Sequence, residues 1–214
     1  MTNLVRYGVF LRPDPVTCTA VTTITGQLRA QFGLVSAGAF PPHLTLVGSV
    51  PLRGSELELV DILDRTLAPL TAVPVQNNGF GRLAASLVFD LHDLDGRPNE
   101  QLMALAATVD SAVRPLVDWS VTGLPPDLPG PRRWRGHLSL ASHEMVERVD
   151  LRDELEDYIA GLDVSWPTTF TGEWVALYRL TDPSWSGSWW QTMRWDHVRS
   201  WRLSPPTTST RSST

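Results

Sequence analysis

Two short segments of the chain share one pattern, in which a histidine precedes a hydroxyl residue by two positions and leucines fill the other two positions. The first reads HLTL at residues 43–46, and the second reads HLSL at residues 137–140. Successive side chains of a strand point to opposite faces. If both segments are strands, His43 shares a face with Thr45 and His137 with Ser139, while the leucines face the core.

A pair of imidazoles is suited to phosphodiester chemistry. One ring can remove a proton from the attacking oxygen while the other protonates the leaving oxygen, and the ordinary histidine pKa near 6.5 allows both states at neutral pH. The hydroxyls of Thr45 and Ser139 can donate hydrogen bonds to the phosphate oxygens. No group of carboxylates lies near either motif, so we expect neither a metal nor another cofactor. The sequence leaves open which histidine is the acid.

The elements around the motifs follow the same order twice, and His137 lies 94 positions after His43. Such self-similarity suggests two similar lobes, each placing one motif strand in a shared cleft. A strand is predicted at 4–12. Hydrophobic periodicity and turn signals then predict helix, motif strand, helix and two strands at 16–32, 40–47, 55–67, 72–83 and 85–91, and again at 99–116, 136–141, 147–162, 168–181 and 188–203.

Whole-chain properties limit the classes of partner. The 214 residues carry a net charge of −5 and no lysine, which argues against binding long nucleic acid by bulk electrostatics. A single cysteine, Cys18, and the lack of a signal peptide or of an apolar run of about 18 residues predict a soluble, cytoplasmic protein without a membrane partner. We expect one domain over 1–203 with interleaved lobes, followed by a disordered tail over 204–214.

The paired motifs resemble the signatures of the two-histidine (2H) phosphoesterase superfamily. The nearest branch is the bacterial 2′-5′ RNA ligase and 2′,3′-cyclic nucleotide phosphodiesterase family, and the resemblance covers residues 4 to about 203. It implies an α+β fold in two lobes, with antiparallel sheets lining a central cleft and helices packed outside. It also implies catalysis by His43 and His137 without metal, and phosphate binding by Thr45 and Ser139.

Several other residues are candidates for substrate binding. Trp134 and Arg135, together with Arg132 and Arg133, form a basic and aromatic cluster before the second motif, although a solvated loop explains them equally well. Phe40 is a candidate for stacking on a base, with a core position as the stronger alternative.

Further candidates lie beyond the second motif. Either Tyr178 or Arg179 should face the cleft, since neighbouring side chains alternate along a strand. His143 is a candidate for the cleft edge, while His92 and His197 are interpreted as structural or exposed. The tryptophans at 189, 190, 195 and 201 depart from the typical closing strand of the family and are interpreted mainly as packing residues, with one or two as a nucleotide platform.

The expected partner is a nucleotide or an RNA end that carries a cyclic phosphate, and the expected reaction is its hydrolysis. Three alternatives remain at this stage. They are a phosphodiesterase for 2′-5′-linked or cyclic oligonucleotide signals, a 2′-5′ ligase of RNA ends, and a nucleotide-binding module without catalysis. The presence of both histidines argues against the last, because a module without catalysis would not require them.

Overall fold

The structure, a computed structural model, describes residues 4–122 and 134–205. Residues 123–133, which include Arg132 and Arg133, lie outside the described residues, as do positions 206–214 of the predicted tail. The strands are β1 (Leu4–Arg12), β2 (Leu44–Val50), β3 (Val73–Gln76), β4 (Phe80–Leu83), β5 (Ser86–Asp90), β6 (Asp93–Leu94), β7 (Arg97–Pro98), β8 (His137–Ala141), β9 (Thr169–Gly172), β10 (Trp174–Asp182) and β11 (Arg194–Arg202). The α-helices are α1 (Pro15–Phe32), α2 (Glu56–Leu67), α3 (Glu100–Val113), α4 (Trp119–Thr122) and α5 (Arg152–Gly161).

Local capping explains where the first helices begin and end. The Asp14 carboxylate accepts from the backbone N–H groups of Val16 and Thr17 at 2.7 and 2.9 Å and so caps α1. This helix ends at Gly33, whose φ of 72° is the left-handed conformation that glycine adopts most easily. Ser55 accepts from the backbone N–H of Glu58 at 3.2 Å and so caps α2, as expected where a serine precedes a glutamate by three positions.

The two principal sheets are antiparallel, and each combines strands from both halves of the chain. The first has the order β11-β10-β1-β2 and contains the first motif, whereas the second has the order β4-β5-β8 and contains the second motif. The strands that follow the first motif, β4 and β5, therefore pair with the second motif strand. The strands that follow the second motif, β10 and β11, belong to the sheet of the first. Smaller two-stranded pairs join β3 to β9 and β6 to β7.

The helices exchange partners in the same way. Helix α1 precedes the first motif but packs against β8, and α3 precedes the second motif but packs against β2. One continuous hydrophobic core runs beneath both motif strands. In the described ranges, 4–122 and 134–205, no helix has both the length and the apolar character needed to cross a bilayer.

Several element bounds differ from the predicted ones. The predicted strand at 72–83 divides into β3 and β4 around Gly79, whose φ is 92°. The predicted strand at 168–181 divides into β9 and β10 at Glu173, and β11 begins later than the predicted residue 188. The hairpin of β6 and β7 was not predicted, although Asp95 and Gly96, with φ of 52° and 73°, form the Asp-Gly turn that favours one.

The helices that flank the second motif are shorter than predicted. Helix α3 ends at Val113, and the chain continues in a 3-10 turn because Pro115 has no N–H to extend the α-helical hydrogen bonds. Helix α5 begins at Arg152, because Glu147 and Arg148 donate back to the Glu144 carbonyl and close a preceding turn. Ser204, placed at the start of the predicted tail, is bonded through its backbone to Leu70 and Ala72.

Candidate active site

The two motifs adopt matching conformations in their separate sheets. His43 immediately precedes β2, and His137 is the first residue of β8. The two histidines, Thr45 and Ser139 are partly exposed, whereas the motif leucines at 44, 46, 138 and 140 are no more than 3% exposed. The alternation places each imidazole beside its hydroxyl on the open face of the strand, in agreement with the pattern read from the sequence.

Each catalytic candidate is oriented by the backbone two positions before it. His43 Nδ1 lies 2.8 Å from the Pro41 carbonyl oxygen, and His137 Nδ1 lies 2.8 Å from the Arg135 carbonyl oxygen. A carbonyl oxygen only accepts hydrogen bonds, so in both rings Nδ1 must donate. In the neutral ring, Nε2 is therefore the nitrogen that can take up a proton.

Both motifs open into one cavity of about 320 Å³. It contains all four motif side chains together with aromatic rings, further serines and a third histidine. No carboxylate and no arginine belongs to the wall formed by the described residues. The lining residues are Phe10, Ser36, Ala37, Phe40, His43, Thr45, Gly48, Ser49, His137, Ser139, Ser142, His143, Leu180, Trp189, Trp190 and Met193.

Aromatic rings enclose His43 on two sides. The Phe10 and Phe40 rings lie 4.5 and 4.9 Å from it, between centroids, and both present an edge-on geometry. Burial lowers the pKa of His43 to about 4, against the opposing effect of the Pro41 carbonyl, and the charge of His137 lowers it further. At neutral pH His43 is therefore an uncharged imidazole that is able to accept a proton.

The sequence as a whole matches a known family over most of its length. The sequence model of the 2′-5′ RNA ligase superfamily covers residues 13–182, a span that includes both motifs. The chain belongs to the 2′-5′ RNA ligase superfamily. This confirms the resemblance to the two-histidine phosphoesterases and supports phosphoesterase or ligase activity in general. No curated protein sequence matches the chain.

Solved structures similar to this superfamily member share its fold at low identity. TT0787 of Thermus thermophilus has a TM-score of 0.59 and 15% identity, covering 94% of this chain and 98% of its own. Escherichia coli LigT complexed with ATP has a TM-score of 0.51 and 14% identity, and LigT complexed with NADP+ has 0.50 and 13%. In each LigT match, 95% of this chain and 99% of the other are covered. These matches confirm the α+β fold with antiparallel sheets.

Of the five further substrate-binding candidates, Phe40 lines the cavity. Its position is also structural, because its ring contacts those of Phe10, Tyr178 and Trp195 at centroid distances of 5.2, 5.0 and 5.6 Å. Tyr178 lies behind this layer and is only 8% exposed. Arg179 points to the other face of β10, where it pairs with Glu56 and Asp196.

The two candidates before the second motif also lie off the described cavity wall. The Trp134 indole N–H donates to the backbone carbonyl of Thr45 at 2.8 Å and so joins the two motif segments directly. Arg135 forms an ion pair with Asp90, the residue opposite His137 in the sheet. The structure thus shows Trp134 as a link between the motifs. Substrate binding by Trp134, Arg135, Tyr178 and Arg179 stays a prediction, because none of the four lines the cavity that holds the motif side chains.

Other cavity residues received little or no weight in the sequence interpretation. Trp189 and Trp190 line the wall from a 3-10 turn between β10 and β11. The sequence drew attention to them only because this tryptophan-rich region differs from the closing strand typical of the family. His143, predicted for the cleft edge, also lines the cavity. Ser36 and Ser142 were missed, because isolated serines in turns carry no distinguishing pattern.

A second link between the halves lies near Ser36. The Glu144 carboxylate accepts from the backbone N–H groups of Val35 and Ser36 at 2.7 and 2.6 Å, and from the Ser36 hydroxyl. Glu144 follows the second motif strand, while Val35 and Ser36 precede the first motif. This carboxylate and the Trp134 indole therefore tie the flanks of the second motif to the first half of the chain.

Proposed function

We propose that this protein hydrolyses a nucleoside 2′,3′-cyclic phosphate, with His43 as general base, His137 as general acid and no metal ion. The observation that carries the proposal is the pair of imidazoles in one cavity, each with Nδ1 bound to a carbonyl and Nε2 left for proton transfer. Among the described residues, no three His, Cys, Asp or Glu side chains gather as a metal-binding group.

The proposed reaction is a single displacement at phosphorus. His43 Nε2 removes a proton from water, whose oxygen forms a new bond to phosphorus. The bond between phosphorus and one ribose oxygen breaks, and His137 protonates that oxygen as it leaves. The product is a nucleoside monophosphate, and the next proton exchange with solvent returns both histidines to their starting states.

The assignment of base and acid follows from the surroundings of the rings. A base must be uncharged before the reaction, and enclosure by Phe10 and Phe40 favours the uncharged form of His43. A protonated His137 also disfavours a second positive charge on His43. The acid role therefore falls to His137.

The hydroxyls of Thr45 and Ser139 are suited to the phosphate oxygens. Both line the cavity beside their histidines, and neither side chain is hydrogen-bonded to another described residue. A hydroxyl that donates to a non-bridging oxygen stabilises the charge that grows there during attack. This contribution is important here, because the described wall holds no arginine.

Cavity size and charge favour a small substrate. A volume of about 320 Å³ lies at the lower end of the range for small-molecule sites. The net charge of −5 gives the surface no general affinity for a long polyanion. Crystals of the structurally similar LigT contain ATP or NADP+, which supports a nucleotide as the ligand.

A second candidate is the 2′-5′ ligation of RNA ends, which the name of the superfamily favours. In that reaction a ribose 5′ hydroxyl replaces water as the attacking group. The bond from phosphorus to the ribose 3′ oxygen of the cyclic end breaks, the phosphate stays on the 2′ oxygen, and the same proton transfers serve the attacking and leaving oxygens. The two histidines keep their roles, because only the attacking oxygen differs. Hydrolysis is preferred because a cavity of about 320 Å³ leaves little space for a second RNA strand.

The test is a product screen in the presence of excess EDTA. The panel contains nucleoside 2′,3′-cyclic phosphates, cyclic dinucleotides, 2′-5′-linked dinucleotides and paired RNA ends. We expect turnover of the cyclic mononucleotides to a single monophosphate isomer, unaffected by the chelator. Activity that disappears with EDTA and returns with a divalent ion would contradict the mechanism. Joining of RNA ends at a higher rate than hydrolysis would place ligation first.

A further inference from the structure

The cavity has a second wall that the proposed chemistry does not use. His143, Trp189 and Trp190, here called the aromatic end, lie beside the motif side chains in the same cavity. The rings of His143 and Trp190 are nearly parallel, with an interplanar angle of 13° and 5.1 Å between centroids. Trp189 meets His143 edge-on at 4.8 Å. The three side chains thus present aromatic surface next to the reacting groups.

The aromatic end is held in place from the first sheet. Asp182, the last residue of β10, is 1% exposed and accepts from the backbone N–H groups of Ser184 and Trp185 at 2.9 and 2.8 Å. It also accepts from the Thr192 hydroxyl at 2.5 Å. These bonds fix both ends of the segment that carries Trp189 and Trp190. The segment reaches from the sheet of the first motif to His143, which follows the second motif strand.

The polar groups at the aromatic end lack partners within the described part of the chain. The Trp190 indole N–H is buried and has no acceptor there, which is rare in folded proteins. The His143 ring nitrogens are not hydrogen-bonded to described residues, although its backbone N–H donates to Ser36. Burial lowers the pKa of His143, against the opposing effect of the Glu144 charge, and so favours the uncharged ring.

We propose that the aromatic end is a subsite for a planar, uncharged heteroaromatic ring, the nucleobase of the substrate, and that the Trp190 N–H donates to an acceptor atom of that ring. This inference rests on the proposed function and specifies which part of the substrate the second wall recognises. Aromatic stacking suits any base, because every base has a π face. The indole N–H adds one directed hydrogen bond.

The same wall disfavours a second phosphate. The hydroxyls proposed for the reacting phosphate, those of Thr45 and Ser139, lie beside the motif histidines. The described lining contains no arginine or lysine that could bind a second phosphate at the aromatic end. The Trp190 N–H is covered in the structure, so the base reaches it only after the Trp190 or His143 ring turns. We therefore expect base binding to change the fluorescence of the tryptophans at this end.

The experiment compares a substrate with a base and one without. The probes are adenosine 2′,3′-cyclic phosphate and the 2,3-cyclic phosphate of methyl riboside, which lacks a base. In the wild type we expect kcat/KM to be about 10-fold to 100-fold higher for the adenosine compound, the usual effect of one stacked base. In Trp190→Ala this ratio should fall close to one, and in Trp190→Phe, which keeps a ring but lacks the N–H, it should be intermediate.

A matched tryptophan outside the cavity provides the control. Trp174 lies on the first sheet against the guanidinium groups of Arg12 and Arg202, and it is not among the lining residues. Trp174→Ala should retain the wild-type ratio. A ratio near one in the wild type, or a ratio that Trp190→Ala leaves unchanged, would overturn the proposed subsite even if both probes are hydrolysed.

A binding measurement separates failure of the subsite from failure of the proposed reaction. Calorimetry with the His43→Ala protein, in which turnover should be much slower, records the affinity for both probes. Tighter binding of the adenosine compound, abolished by Trp190→Ala in the same background, supports the subsite even if the wild type hydrolyses neither probe. Equal affinity for the two probes overturns it, whatever the catalytic result.

Discussion

The two histidine motifs have the same local geometry but different surroundings. Both imidazoles are held by a carbonyl two positions earlier at 2.8 Å. Around His43 the neighbouring groups are the rings of Phe10 and Phe40. His137 stands opposite Asp90, whose carboxylate pairs with Arg135. The motif therefore orients an imidazole, whereas the burial of His43 among its neighbours favours the uncharged state of that ring.

The largest expected effect comes from removing either histidine. His43→Ala and His137→Ala should each lower kcat by roughly 100-fold to 10,000-fold, because each takes away one proton-transfer group. The double variant should be little slower than the slower single one, since the two rings act as a unit. Steady-state kinetics on a nucleoside 2′,3′-cyclic phosphate measures this. A variant with near wild-type turnover would remove that histidine from the mechanism.

The hydroxyls should have the next largest effect. Thr45→Val and Ser139→Ala each remove one donor to the phosphate, and loss of such a donor costs about 100-fold to 1,000-fold in kcat. We expect the decrease mainly in kcat, because the charge that the donor stabilises grows in the transition state. Ser49→Ala, which changes a lining hydroxyl outside the motifs, is the matched control. Equal effects of all three variants would show that the motif hydroxyls have no special role.

A smaller effect should follow from breaking the link between the motifs. Trp134→Phe keeps an aromatic ring but removes the N–H that donates to the Thr45 carbonyl. We expect kcat/KM to fall about 10-fold, less than the roughly 100-fold cost of a 1 Å displacement of reacting groups. Melting experiments should show a loss of about 1–2 kcal/mol in the free energy of unfolding.

Trp201→Phe is the control for that variant, because the Trp201 indole donates to Asp64 at 2.6 Å away from the cavity. It should lose similar stability while keeping its activity. If both variants lose activity in proportion to stability, Trp134 has only a structural role. If neither loses activity, the link does not set the spacing of the motifs.

The smallest effect concerns the acid side of the pH profile, where loss of the His43 base form limits the rate. With the pKa of His43 lowered to about 4, kcat/KM should fall only as the pH drops through that value. Phe10→Ala exposes one side of the His43 ring. The pH at which kcat/KM falls on the acid side should therefore rise toward the ordinary histidine pKa of about 6.5. The titratable groups that face His43 are His137, across the cavity, and Tyr178, which lies behind Phe40.

Gly8→Ala should also raise the pH at which kcat/KM falls on the acid side, but by less than Phe10→Ala does. A Cβ atom at Gly8 would lie 2.3 Å from the tip of the Phe10 ring, which is itself confined by Phe40 and His43. The control is Gly81→Ala, another strand glycine, whose added Cβ would have no neighbour within 4 Å. In a Phe10→Ala background, Gly8→Ala should have no further effect. A wild-type kcat/KM that already falls near pH 6.5 would contradict the enclosure of His43.

Local rules allowed much of the site to be predicted. Strand alternation gave the correct faces for the motif side chains, because it depends only on neighbouring residues. The cap at Ser55 likewise follows from side chains within one helical turn. Predictions that needed distant partners were less complete. The sequence allows either a substrate surface or a solvated loop for Trp134 and Arg135. Their partners in the structure, Thr45 and Asp90, lie 89 and 45 positions away and could not be predicted from neighbouring residues.

The sequence by itself determined the two pairs of histidine and hydroxyl side chains and the repeated order of elements, and its family resemblance indicated the antiparallel α+β class. Only the tertiary structure decided that the halves exchange strands, that Trp189 and Trp190 reach the cavity, and that Phe10 and Phe40 enclose His43 but not His137. The reason is physical. The side-chain direction and caps depend on short-range backbone geometry, whereas strand partners, burial and the resulting pKa depend on contacts between residues far apart in the chain.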